Sequence, residues 1–198
     1  MTPATTSRRS APPAWSWASL RDDSRQFVVV LIVLAIALLA GLLLKGFTEG
    51  QTRVVRGGGV SAAVPADWVY QPGAGDLLFV VNDPREPGHR YLVTRIADAP
   101  RGLTAVVDKH SGAKSQLLPG YQSISREAVR IGDRSGEAVT FAYVFQRDGQ
   151  IPRVIQARDL YLQSGEQILV VSNEGSPDRF EAGLAAFEQF ARSVGSRR

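Results

Sequence analysis

The sequence predicts an α+β chain: a single transmembrane helix, then an antiparallel β-sheet of six to seven strands flanked by helices, together an α/β sandwich. Three observations predict it. Phe27 to Leu44 (FVVVLIVLAIALLAGLLL) is a run of eighteen apolar residues with no charge and no proline. Between Tyr121 and Ser172, four strand-like segments follow one another with only short turns between them. Two amphipathic stripes, starting near Leu103 and Pro177, interrupt and then close the strand series.

The apolar run comes first. At 1.5 Å per residue it reaches about 27 Å as a helix, close to the hydrocarbon thickness of a bilayer. A cleaved signal would be shorter and end in a small-x-small site, whereas Lys45-Gly46-Phe47-Thr48-Glu49 follows here. The segment reads as an uncleaved anchor in the cell membrane. Four arginines precede it (Arg8, Arg9, Arg21, Arg25) and three basic residues follow (Lys45, Arg53, Arg56), a small positive-inside bias. The layout of short basic leader, one span and long carboxy-terminal part is that of a signal anchor with a cytoplasmic amino terminus. The expected organisation is a mostly disordered cytoplasmic leader over 1–26, the span over 27–44, a tether over 45–59 and an extracytoplasmic domain over 60–198. Trp15 and Trp17 suit the headgroup region of the cytoplasmic interface. Ala37 and Gly41 form a small-xxx-small pair at which a second helix can approach.

Gln51 to Gly59 (QTRVVRGGG) reads as the tether because of its three glycines. Beyond it, Val60 to Val64 is the first strand, stopped by Pro65. Pro65-Ala66-Asp67 turns the chain and delivers Trp68, Val69 and Tyr70. Leu77 to Val81 is a continuous apolar run, the pattern of a strand covered on both faces. Tyr91 to Ala97 alternates. Leu103, Val106, Val107, His110, Ala113 and Leu117 recur at helical spacing, and Pro119-Gly120 ends that helix. Strands follow over Tyr121–Ile131, Glu137–Gln146, Arg153–Leu162 and Gln167–Ser172. In the second of these, Val139, Phe141, Tyr143 and Phe145 oppose Ala138, Thr140, Ala142 and Val144, so a central strand is expected. Short turns between them require antiparallel pairing. The last helix has Ser176 as cap, Pro177 in its first turn, a stripe of Phe180, Leu184, Phe187, Ala191 and Val194, and Gly195 as terminator.

Composition removes whole classes of function. The 198 residues include no cysteine, which excludes disulfides, cysteine-held iron–sulfur or zinc centres and covalent c-type haem. With two histidines and one methionine, axial haem ligands are scarce too, and no cofactor is expected. The net charge of +4 is shared equally by residues 1–50 and 51–198, and the two signs interleave in the domain. No nucleic-acid partner is therefore expected. Nucleophile elbow, phosphate loop, metalloprotease helix and dinucleotide fingerprint are all missing, so no small-molecule substrate is expected either.

The element order, the opening Val60-Ser61-Ala62-Ala63-Val64-Pro65-Ala66-Asp67-Trp68 and the helix start Ser176 to Phe180 resemble the PsbP/Mog-type α/β/α sandwich family, in a membrane-anchored bacterial form. The resemblance covers about residues 58–195. It implies a mostly non-enzymatic domain that binds or stabilises a larger assembly; PsbP is the extrinsic protein of photosystem II, and the Mog branch binds a small GTPase. It lends no catalytic residues.

The candidate sites are few. Asp83, Glu86 and His89 share one loop and are the weak candidate metal ligands; such residues are common in polar loops, and a solvated loop with no metal is the favoured reading. Trp68, Tyr70, Tyr91 and Tyr121 make a contact surface if exposed; Trp68 reads first as a core residue. His110 lies on an apolar stripe and reads as packed, with a ring nitrogen bonded to backbone. The expected function is a non-catalytic accessory subunit, held by one span in the lipid bilayer, whose domain docks on other membrane-protein subunits of a respiratory or photosynthetic electron-transfer complex. The alternatives are a stand-alone ligand-binding or assembly-assisting domain and, least favoured, a metal-dependent hydrolase.

Overall fold

The computed structural model describes residues 28–41, 51–97, 102–146, 149–165 and 167–196. The chain forms two compact units, Met1–Gly50 and Gln51–Arg198. In the first, helix α1 covers residues 28–41, all of them exposed, with Ala37 and Gly41 one turn apart. Among the described residues no helix is long and apolar enough to cross a membrane. The rest of the apolar run, the leader and both Trp15 and Trp17 lie outside the described residues.

The second unit opens earlier than the sequence suggests. Thr52–Gly57 is a strand, β1, and pairs antiparallel with β2 (Val60–Pro65) in the register Gly57↔Val60. The tether expected over 45–59 is thus corrected at its carboxy-terminal end. Gly58 and Gly59 have φ of 58° and 79°, the pair of positive values that a tight two-residue hairpin of the primed type needs. A triplet that looks like slack chain is therefore a designed turn. Val55 is buried accordingly.

Seven further strands make the main sheet: β3 (Val69–Pro72), β4 (Leu77–Asn82), β5 (Arg90–Ile96), β6 (Gln122–Ile131), β7 (Arg134–Phe145), β8 (Arg153–Ser164) and β9 (Gln167–Gly175). Their order is β3-β4-β5-β9-β8-β7-β6, every neighbour antiparallel. The strand count and the meander β6 to β9 agree with expectation. Helix α2 (Leu103–Leu117) carries the chain from β5, beside β9, to the far edge at β6.

Side-chain alternation gives the sheet two faces. On one, Phe79, Val81, Tyr91, Val93, Leu160, Leu162, Leu169 and Val171 pack against helix α3 (Pro177–Ser193) and the small sheet of β1 and β2. Phe187 is fully buried there; Phe190 is also buried, where the expected stripe has the half-buried Leu184. On the other face, Val139, Phe141, Tyr143, Ile155, Ala157, Tyr161, Ile168 and Val170 lie with Val107 of α2. Gly195 does not cap α3. It pairs with Ser61 in a two-residue strand, β10 (Gly195–Ser196), and the helix end is held instead by Arg134, which donates to the Ala191 carbonyl at 2.8 Å.

Candidate functional site

Three sets of polar side chains break this apolar frame. The first lies in the β4–β5 loop. The Asp83 and His89 backbone N–H groups donate to the His89 and Glu86 carbonyls, each at 3.0 Å, and Gly88 takes φ 96°. The loop is thus folded back on itself, which brings the expected trio together. One donor atom from each of Asp83, Glu86 and His89 lies within 4.8 Å of the other two, and all three residues are half-buried. His89 Nδ1 stands 3.4 Å from Asp83 Oδ2 and 4.0 Å from Glu86 Oε2. The imidazole is held edge-on between Trp68 and Tyr91, with centroids at 4.9 and 5.5 Å.

A cleft of about 230 Å³ opens beside this trio, lined also by Asn173, Gly175, Arg179 and Phe180. Asn173 is 1% exposed, and its buried Oδ1 has no hydrogen-bond donor among the described residues. Leaving such an acceptor unmet costs about 1–3 kcal/mol. Sequence reading did not single out Asn173, since an Asn inside a strand has no local signal. The cleft's positive group is Arg179, whose Nη1 lies 3.6 Å from Glu86 Oε2 on a largely exposed side chain.

The contact-surface expectation fails for two of its four residues. Trp68 and Tyr91 are core, 7% and 2% exposed, and Tyr91 packs on Phe187 and Phe190. Burial, with the Asp83 charge adding to it, pushes the Tyr91 hydroxyl up to about 12. Tyr70 is half-buried and donates to the Arg56 carbonyl at 2.8 Å. Tyr121 is half-buried against Phe141, at 5.2 Å between ring centres.

The second set surrounds Glu174 on the opposite face of the sheet. Arg90 donates twice to its Oε2, at 2.7 and 2.6 Å, and Tyr143 once at 3.1 Å. Burial alone would lower the Arg90 guanidinium; the Glu174 charge and hydrogen bond outweigh it and leave it raised. An open cleft of about 340 Å³ adjoins these groups and Arg153.

The third set is enclosed beneath α2. Asp159, 1% exposed, accepts from Lys114, from Ser172 at 2.7 Å and from the Tyr161 hydroxyl at 3.3 Å. His110 Nδ1 completes the chain 2.8 Å from the Tyr161 oxygen. His110 is packed as expected, but bonded to a side chain where backbone was expected. Burial, and then the charge of Lys114, lower its pKa. Burial together with Asp159 raises the Tyr161 hydroxyl.

A seven-stranded antiparallel sheet with α2 on one face and α3 on the other is the PsbP/Mog-type sandwich that the sequence resembles. Among solved structures, cyanobacterial PsbP (CyanoP) from Synechocystis superposes with a TM-score of 0.54 at 14% identity, over 74% of this chain and 92% of that one. LpqN of Mycobacterium tuberculosis, described as involved in cell envelope biogenesis, gives 0.48 at 16% identity, over 75% and 91%. The Ran-binding protein Mog1p of Saccharomyces cerevisiae gives 0.47 at 14% identity, over 74% and 95%. No protein-family model and no curated protein matches the chain.

Proposed function

We propose that the chain is a non-catalytic accessory subunit, anchored by the apolar run Phe27 to Leu44, whose sandwich domain docks on a larger membrane complex. One observation carries the reading. The point where the chain enters the domain, the β4–β5 loop and three of the exposed apolar side chains lie at one end of the main sheet. The Gln51 carbonyl accepts from Ala66 N–H, just before Trp68, which touches the loop through His89. The same end holds the close of β7 and the start of β8, where Phe145 pairs with Arg153. There Ile151 is 86%, Leu117 78% and Val154 53% exposed. The Pro119 carbonyl, accepting from Val144 N–H at 2.8 Å, ties Leu117 to this end.

A chain that leaves a bilayer at Lys45 and enters the domain at Thr52 spans about 25 Å at most. That reach keeps the domain within range of other subunits at the membrane surface. Scattered apolar exposure is ordinary, and the docking reading rests on three large aliphatics that share the tethered end. The buried Asp159 constellation supports a non-catalytic reading, because its groups already satisfy one another beneath α2.

Purification of the full chain in mild detergent tests this. A stoichiometric multi-subunit complex is expected, and substituting Leu117, Ile151 and Val154 together by Asp should release the domain from it. Recovery of a solitary monomer, or a complex indifferent to the triple substitution, overturns the proposal.

A further inference from the structure

We infer that the cleft between the β4–β5 loop and β9 is a divalent-cation site, with Asp83, Glu86 and His89 as ligands and Asn173 Oδ1 as a further oxygen. The inference is independent of the docking reading.

Geometry argues first. A direct N–H···O bond between His89 and Asp83 would measure about 2.7–3.2 Å; the atoms stand 3.4 Å apart. Ligands about 2.1 Å from a tetrahedral ion stand roughly 3.4 Å from one another. The His89–Glu86 separation of 4.0 Å is wider than that edge, so the Glu86 side chain must close in when an ion binds. The Asp83–His89 pair is therefore spaced for an ion between its members and stands too far apart for a good mutual hydrogen bond.

The second argument is separate from the acidic residues. Asn173 sits on β9, opposite Tyr91 of β5, and reaches the cleft from another strand. An amide oxygen can only accept, and this one is buried without a donor among the described residues. A cation in the cleft answers both that acceptor and the two carboxylates. Trp68 and Tyr91 fix the imidazole plane in advance, the service a supporting shell gives to a metal ligand. Arg179 opposes the charge, but its side chain is 76% exposed and free to turn to water.

The donor set selects the ion. One imidazole nitrogen with oxygen ligands suits zinc or manganese better than calcium or magnesium, which prefer oxygen alone. A bound ion would pin the β4–β5 loop to the end of β9.

The test is a zinc titration of the full chain in mild detergent after chelator treatment, followed by calorimetry and by the histidine ring resonances. One equivalent should bind with a dissociation constant of about 10 µM or tighter, and the His89 resonance should shift while His110 stays. His89→Ala should abolish binding, Glu86→Gln weaken it at least tenfold and Asn173→Leu several-fold, whereas His110→Gln should leave it intact. Calcium should bind at least a hundredfold more weakly. No saturable zinc binding below 100 µM, or binding that survives His89→Ala, overturns the inference. Should His89→Ala fail to fold, the ring resonances of the unaltered chain and Glu86→Gln decide alone.

Discussion

The two faces of the main sheet are covered by helices of similar length and built on opposite principles. Beneath α3 the contact is aromatic and apolar: Phe187 and Phe190 meet Tyr91, Phe79 and the valines of β4, β5 and β9. Beneath α2 only Val107 of the helix is fully buried, and the centre of the contact is ionic and hydroxylic, around Asp159. One helix is held by area, the other by a small number of directional bonds. Area tolerates a shifted neighbour; a buried carboxylate does not, since its partners must stand at fixed positions.

The largest effect belongs to the apolar face. Phe187→Ala removes a ring with no exposure and should cost about 3–5 kcal/mol of unfolding free energy. Val107→Ala, the matching deletion in α2, should cost about 2 kcal/mol. Urea unfolding of the two variants measures the contrast. Equal losses would show that α2 is held by packing as much as α3 is.

Lys114→Met sharpens the comparison from the polar side. It leaves the Asp159 carboxylate buried with only hydroxyl donors, and the expected loss is about 3 kcal/mol. Adding Asp159→Leu should recover part of it, because a buried pair is often replaceable by apolar volume. Recovery should stay partial, since the Ser172 and Tyr161 hydroxyls lose their acceptor. A double variant as weak as the single one would mean that the two hydroxyls, and not the ion pair, carry the network.

The same contrast explains what was legible in the sequence. The frame was, because alternation in β7 and the stripe of α3 are periodic signals that any apolar face must leave. So was the trio Asp83, Glu86 and His89, neighbours in one loop. The Asp159 network was not: Lys114, Asp159 and Ser172 come from α2, β8 and β9, and only the pairing of β8 with β9 opposes Asp159 to Ser172. Asn173 was hidden for the same reason. The Gly57-Gly58-Gly59 segment misled, since composition alone does not tell a slack tether from a hairpin turn that needs two positive φ values.

The smallest effect is a pH dependence confined to the polar face. In the folded chain the His110 pKa lies below its usual value, because of burial and then the neighbouring Lys114 charge, against the opposing pull of Asp159. The unfolded chain, with an ordinary histidine near 6.5, therefore binds the proton more readily. His110 contributes its full share to stability above that value, and the share is lost as pH falls from the unfolded pKa toward the folded one. Melting temperature should thus drop between about pH 7.5 and 5.5, and His110→Gln should flatten part of that slope. Because burial and Lys114, and not the Tyr161 hydroxyl, set that shift, the flattening should persist when the same change is made in Tyr161→Phe. A His110→Gln slope identical to that of the unaltered chain would detach His110 from the network and leave Lys114 as the charged link between α2 and Asp159.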